Sequence, residues 1–232
     1  MSMILERNLR NRPENVDRMA IVSRFAGFLS TAMLMVVLAG CSVFPAPDGE
    51  PAHWRLVAPA LEETDPGVSG PAVTVRLVET RASNAIDRRD MAYSRTQQSL
   101  AYYRDNRWVA SPAIMFDEII DESLSARPWV SNVIQGGARV PTDLALHCEI
   151  QQIEHQLEYV DGRVRLKAAC SWYRSEGRQL IDTLLFDQTV GVERNDAEHY
   201  AAGAQQLVAD FVQALNDQGR ALAADVGEPD RQ

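Results

Sequence analysis

Four histidines (His53, His147, His155 and His199) and three cysteines (Cys41, Cys148 and Cys170) are the side chains of this 232-residue chain best suited to nucleophilic or metal chemistry. Their spacing argues against both. His147 adjoins Cys148 and Glu154 adjoins His155, and neighbours on a strand point to opposite faces, so neither pair can chelate. His53 lies in a proline-rich stretch, and His199 falls in the first turn of a helical pattern, where an imidazolium opposes the helix dipole. The sequence holds no Gly-x-Ser-x-Gly elbow, no Gly-rich phosphate loop and no His-Glu-x-x-His pair. GVSG (67–70) reads as loop, and Asp117, Glu118, Asp121 and Glu122 read as the solvated face of a helix. The expectation is a protein with no catalytic residue, no metal and no cofactor, hence not an enzyme.

Cys41 stands apart from this inventory. It ends an uncharged apolar run, 25–40, of about 16 residues, shorter than the roughly 20 a spanning helix needs. Arg18 and Arg24 precede the run and small residues close it, the layout of a secretion signal. The string Leu38-Ala39-Gly40-Cys41 resembles the bacterial lipobox, which implies cleavage before Cys41 and acylation of its thiol and new amino group. More than one acyl chain makes a lasting anchor where a single one holds only reversibly. Residues 1–40 are therefore expected to be a secretion signal, with Met19 as an alternative start because 1–18 are polar and mixed in charge. Residues 41–53, with Pro45, Pro47, Gly49 and Pro51, read as a lipidated tether.

Charge narrows the partners. Of 23 basic and 32 acidic residues, 5 and 3 lie in residues 1–40, so the remainder carries −11. Such a chain has no electrostatic basis for binding nucleic acid, and an acyl anchor rather than a basic patch would hold it to a membrane.

The remaining residues fit one domain, 54–218, followed by a short mobile tail, 219–232. WRLVAP (54–59) and AVTVRLVET (72–80) read as strands around a loop, 61–71, and two short strands follow that end near Trp108. Ser111-Pro112 starts a helix with a stripe through Met115, Phe116, Ile119, Ile120 and Leu124 that stops before Pro128. A short strand begins at Trp129. Residues 143–192 read as a three-stranded meander whose first strand changes phase at Gln151-Gln152, the mark of a β-bulge. A helix over 196–218, with Asp196 as N-cap and Gly219 as C-cap, closes the domain. The fold class expected is α+β (α/β in the broad sense): a mixed, mainly antiparallel sheet with a long β-meander and two amphipathic helices packed on it.

A two-residue Asp161-Gly162 turn would pair Val160 with Arg163 and set Cys170 opposite Ile153. The thiols of Cys148 and Cys170 would then lie about 13–17 Å apart at ~3.3 Å per residue, too far for a disulfide. Two buried free thiols are expected. Near the middle of the chain, Tyr102, Tyr103 and Trp108 cluster with Arg104 and Arg107. Trp108 packs under the following helix as a core edge, or Tyr103, Arg107 and Trp108 form a ledge that touches a partner.

The order lipobox, WRLVAP, YYRDNRWVASPAIMFDEIIDESL, DLALHCEIQQIE and GRVRLKAACSWY resembles the ABC-type transport auxiliary lipoproteins, over roughly 41–216. These accompany bacterial intermembrane transporters with mammalian-cell-entry domains, including the paraquat-inducible system. The resemblance implies a non-catalytic, periplasm-facing accessory of lipid or organic-compound transport. Its partners would be a mammalian-cell-entry protein with its ABC components, and the membrane through the lipid anchor; some relatives form rings, so a homo-oligomer is open to it. Ser42, rather than Asp, after Cys41 points to the outer membrane. A structural or assembly lipoprotein, or an envelope hydrolase, are the other readings. The loop at 61–71 and the acidic FDEIIDES are departures from the family pattern and bear on the partner contacts.

Overall fold

The computed structural model describes residues 49–60, 72–136, 140–157, 161–175 and 179–226. The expected signal with Cys41, the stretch 61–71 expected to be a loop, and residues 227–232 lie outside the described residues. The chain divides after Gly49, and every element described belongs to the second unit, Glu50–Gln232.

The elements follow in the order β1 (Ala52–Trp54), β2 (Val73–Ala82), β3 (Asp90–Ser94), β4 (Ala101–Trp108), α1 (Pro112–Ser125), β5 (Val130–Gln135), β6 (Leu144–Gln156), β7 (Gly162–Arg174), β8 (Gln179–Val192) and α2 (Ala197–Val226). All eight strands join one mixed sheet. β6, β7 and β8 form the antiparallel meander and supply the longest registers, while β1–β4, β2–β5, β2–β6 and β3–β6 pair in parallel. The expected α+β class with a mixed sheet and two helices is what the structure shows.

Period-two patterning puts one face of the sheet in the core. Val73, Val75 and Leu77 of β2, Leu144, Leu146, Cys148 and Ile150 of β6, and Val164, Leu166, Ala168, Cys170 and Trp172 of β7 are all buried. Both helices cover that face. Phe211 of α2 meets Phe116 of α1 and Phe186 of β8 edge-on, with centroids 5.7 and 5.5 Å apart, an arrangement favoured by the ring quadrupoles. α2 also satisfies two buried indoles: Trp129 Nε1 donates to Asn216 Oδ1 at 2.7 Å and Trp172 Nε1 donates to Gln218 Oε1 at 2.9 Å.

The β6 bulge falls where the phase change indicates, with the register to β7 shifting between Ile150 and Gln152. Beyond it the inward residues become Ile153 and His155.

Four expectations need correction. First, Cys148 and Cys170 are direct cross-strand partners, joined by a disulfide with Cα atoms 4.1 Å apart. The last pair before the β6–β7 connection is Gln156 with Arg163, not Val160 with Arg163. That longer connection moves the register by four residues and the bulge moves it by one more. Together they carry Cys170 from Ile153 to Cys148. Gly162 is required there by crowding rather than by a tight turn, since a Cβ would collide with Asn195 Oδ1 and His155 Nε2. Second, β1 is short and early: Trp54 pairs with Trp108, after which β4 gives way to α1 and leaves no partner strand for Arg55 onward.

Third, α2 runs past residue 218 to Val226, so the tail does not begin at Gly219. Gly219 lies inside the helix because a Cβ there would come within 2.6 Å of Trp129 Cη2 and 3.0 Å of Trp172 Cη2, and Leu222 and Ala223 bury the next turn. Fourth, Asp117 is not simply solvated: its Oδ1 accepts from the Thr80 backbone N–H at 2.9 Å, tying α1 to the end of β2. Asp196 does cap α2, accepting from the His199 N–H at 2.9 Å.

Candidate functional site

The aromatic and arginine side chains grouped by sequence around β4 are divided by its backbone. Asp90 of β3 pairs with Arg107, but Ala92 pairs with Tyr102, so three extra residues of β4 are accommodated between those two pairs. The irregularity cancels strict alternation. Tyr103 and Trp108, of opposite parity, both turn inward to Tyr200 of α2, with ring centroids 6.4 and 5.4 Å away.

Trp108 is 1 % exposed, so it is a core residue and does not form part of a contact ledge. Tyr103 is half-buried and its hydroxyl hydrogen-bonds His155 Nδ1 at 2.8 Å. Burial pushes the Tyr103 phenol up to about 12, with Asp196 adding to the rise. His155 is fully buried, and desolvation lowers its pKa to about 4. The imidazole is therefore neutral at neutral pH, and its Nε2 has no hydrogen-bond partner among the described residues. Tyr200, whose hydroxyl donates to the Ile153 carbonyl at 2.9 Å, is held well above the ordinary phenol value by complete burial. These rings form a packed polar seam within the core. The phase change in β6 already put His155 on the inward face, but its pairing with Tyr103 depends on the irregular register, which no local signal announces.

Of the three residues proposed as a ledge, Arg107 alone stays outside. It pairs with Asp90 Oδ1 at 3.3 Å, and Arg88 Nε holds the other carboxylate oxygen at 2.7 Å. The Arg88 guanidinium lies 4.3 Å from the centroid of the Tyr102 ring, whose hydroxyl donates to the Ala85 carbonyl at 2.8 Å. The outer side of the β3–β4 edge thus carries two guanidiniums, one carboxylate and one phenol. Such amphipathic, cation-bearing surfaces suit protein contact.

The chain enters the domain beside this surface. Ala52, His53 and Trp54 pair with Asn106, Arg107 and Trp108, and Trp54 Nε1 donates to Asn106 Oδ1 at 2.9 Å. Three residues later, the Gln205 amide of α2 accepts from Val57 N–H at 3.0 Å and donates to Val57 O at 2.9 Å. The amino-terminal segment is therefore fixed to both β4 and α2.

Among the described residues no three His, Cys, Asp or Glu side chains converge as a metal site, and no helix is long and apolar enough to cross a membrane. The described residues form a mixed sheet covered on one face by two helices, an architecture whose relatives can be sought by fold. Residues 54–216 match the family of ABC-type transport auxiliary lipoprotein components, and the chain belongs to that family. A crystal structure of a Xanthomonas campestris protein assigned to DUF330 is similar at a TM-score of 0.65 and 12 % identity, covering 73 % of this chain and 95 % of that one. A crystal structure of an uncharacterized protein is similar at a TM-score of 0.56 and 10 % identity, covering 73 % and 99 %. At these identities the likeness is one of fold. None of the curated proteins matches the chain.

Proposed function

We propose that this protein is a lipid-anchored accessory subunit of an ABC transporter with a mammalian-cell-entry partner, and that it assists lipid or organic-compound movement between inner and outer membranes through contact rather than turnover. The observation that carries this reading is the family match across the folded domain, downstream of the Leu38-Ala39-Gly40-Cys41 string. In this reading Cys41 is acylated and Ser42 directs the protein to the outer membrane, facing the periplasm. The residues between Cys41 and β1 can reach at most about 40 Å when extended.

Partner contact is assigned to Arg107 with Arg88, Asp90 and Tyr102. Deletion and complementation test the reading. Loss of the protein should make the envelope leaky to organic compounds, and the wild-type chain should restore the barrier. Cys41→Ala should leave a folded but unanchored domain that does not restore it. An intact barrier in the deletion strain, or full rescue by Cys41→Ala, would overturn the reading.

A further inference from the structure

A second site lies where the neighbours of β6 change. β2 accompanies β6 as far as Ile150, and β3 joins it only at His155 and Gln156. The β3–β4 turn overhangs the stretch between, leaving an open cleft of ≈ 710 Å³. That volume lies within the roughly 300–1,000 Å³ of small-ligand sites.

The floor is Gln152, Glu154 and Gln156, at alternate positions of β6 and so on one face of the strand. Arg165 of β7 stands opposite Glu154, and Gln97 and Gln98 form the overhang. Glu154 is only 8 % exposed, and its Oε2 accepts a hydrogen bond from Gln152 Nε2 at 3.0 Å, which fixes the carboxylate. Arg165 is already engaged: its Nε and Nη2 donate to the two Asp187 oxygens at 2.8 Å each. The amides of Gln97, Gln98 and Gln156 make no hydrogen bond to any described residue.

This chemistry discriminates among ligands. An anion would meet the fixed Glu154 carboxylate and an arginine whose charge Asp187 offsets. An apolar ligand would strip water from amides and a carboxylate without replacing those hydrogen bonds. A neutral ligand rich in hydroxyls suits the lining, because each amide offers both donors and an acceptor and the carboxylate oxygen not held by Gln152 accepts from a hydroxyl. Leu100, at the rim, supplies an apolar contact for a sugar ring or an acetamido methyl.

We infer that this cleft binds a neutral saccharide, with Gln97, Gln98, Gln156 and Glu154 recognising its hydroxyl and amide groups. No exposed aromatic platform lines the cleft, so the affinity is modest, with Kd on the order of 1 mM.

The test uses the full-length protein in a sugar-free detergent, titrated by saturation-transfer NMR with tri-N-acetylchitotriose, maltotriose and methyl phosphate, a phosphate whose methyl protons report binding. At least one trisaccharide should saturate near ~1 mM while phosphate does not. The double variant Gln98→Ala/Gln156→Ala should weaken the saccharide at least about tenfold. Leu185→Ser, at a residue that does not line the cleft, should leave saccharide binding unchanged. Absence of any saccharide response at ~20 mM, a response unaltered by the double variant, or saturation by phosphate alone would overturn the assignment. None of these outcomes bears on the transporter association, which is tested separately.

Discussion

The β6–β8 meander and the β3–β4 edge teach opposite lessons about how sequence becomes surface. The meander is long and regular, with one bulge in β6 and one register shift between Trp172 and Tyr173, and a disulfide bridges its middle. On either side of the β6 bulge its inward residues follow the period of two, and an outward residue such as Leu185 reaches 76 % exposure. The β3–β4 edge is short and irregular, and its register shift turns Tyr103 and Trp108 inward. Regular pairing gives the domain its rigidity. Irregular pairing selects which of a run of polar and aromatic residues stays outside.

The largest expected effect falls on the meander. Cys148→Ala/Cys170→Ala should cost about 3 kcal/mol, since the bridge closes a loop spanning 22 positions. Chemical denaturation would measure the loss, and thiol titration of the unfolded, unreduced protein should find neither cysteine free. A titre of two thiols would restore the expectation drawn from sequence and remove the contrast between the regions.

That expectation shows where legibility ends. The two helices, the meander, the bulge at Gln151-Gln152 and the Asp196 cap were readable because each is a local signal: a period, a phase change, a capping side chain. The Cys148–Cys170 pairing was not, because one unrecognised four-residue lengthening of the β6–β7 connection propagates through every pair in the ladder. Gly219 misled for a related reason. A glycine near the end of a helical pattern ordinarily marks its end, whereas this one is required by Trp129 and Trp172, residues 90 and 47 positions away in sequence. The candidate contact residues were only partly legible: the sequence grouped Tyr103, Arg107 and Trp108, and a three-residue irregularity in β4 leaves only Arg107 on the outside.

The next effect belongs to the seam joining the regions. His155 titrates near 6.5 when unfolded and at about 4 when folded. The unfolded chain therefore binds the extra proton first, and stability is full above pH ~6.5 and declines as pH falls toward 4. The loss amounts to on the order of 2 to 3 kcal/mol, read as a falling urea midpoint between pH 7 and 4. His155→Gln should flatten that slope. A slope unchanged by the substitution would assign the acid sensitivity to other groups. Tyr103 adds the mirror effect at high pH: its folded value of about 12 lies above the ordinary 10, so stability should fall as pH rises above 10.

A smaller effect separates packing from propensity on the meander side. In an exposed helix Gly→Ala gains roughly 0.5–1 kcal/mol. Gly219→Ala should instead lose about 1–2 kcal/mol, because the methyl must displace two indoles. Thermal unfolding that shows a gain would mean that α2 stands off from Trp129 and Trp172.

The smallest effect on stability is expected at the surface assigned to contact. Arg107→Ala breaks an exposed ion pair and should change stability by less than about 0.5 kcal/mol. A photo-crosslinker at position 107 should nevertheless yield partner adducts, while one at Leu185 on β8 should yield none. Adducts at 185 alone would move the contact surface to the meander.

Co-isolation tests the central claim most directly. The protein, affinity-purified from solubilised envelopes and examined by mass spectrometry, should carry a permease, its ATPase and a mammalian-cell-entry protein, and should lose them when Arg107 is replaced together with Arg88. Recovery of the intact protein with none of those three proteins would contradict the account.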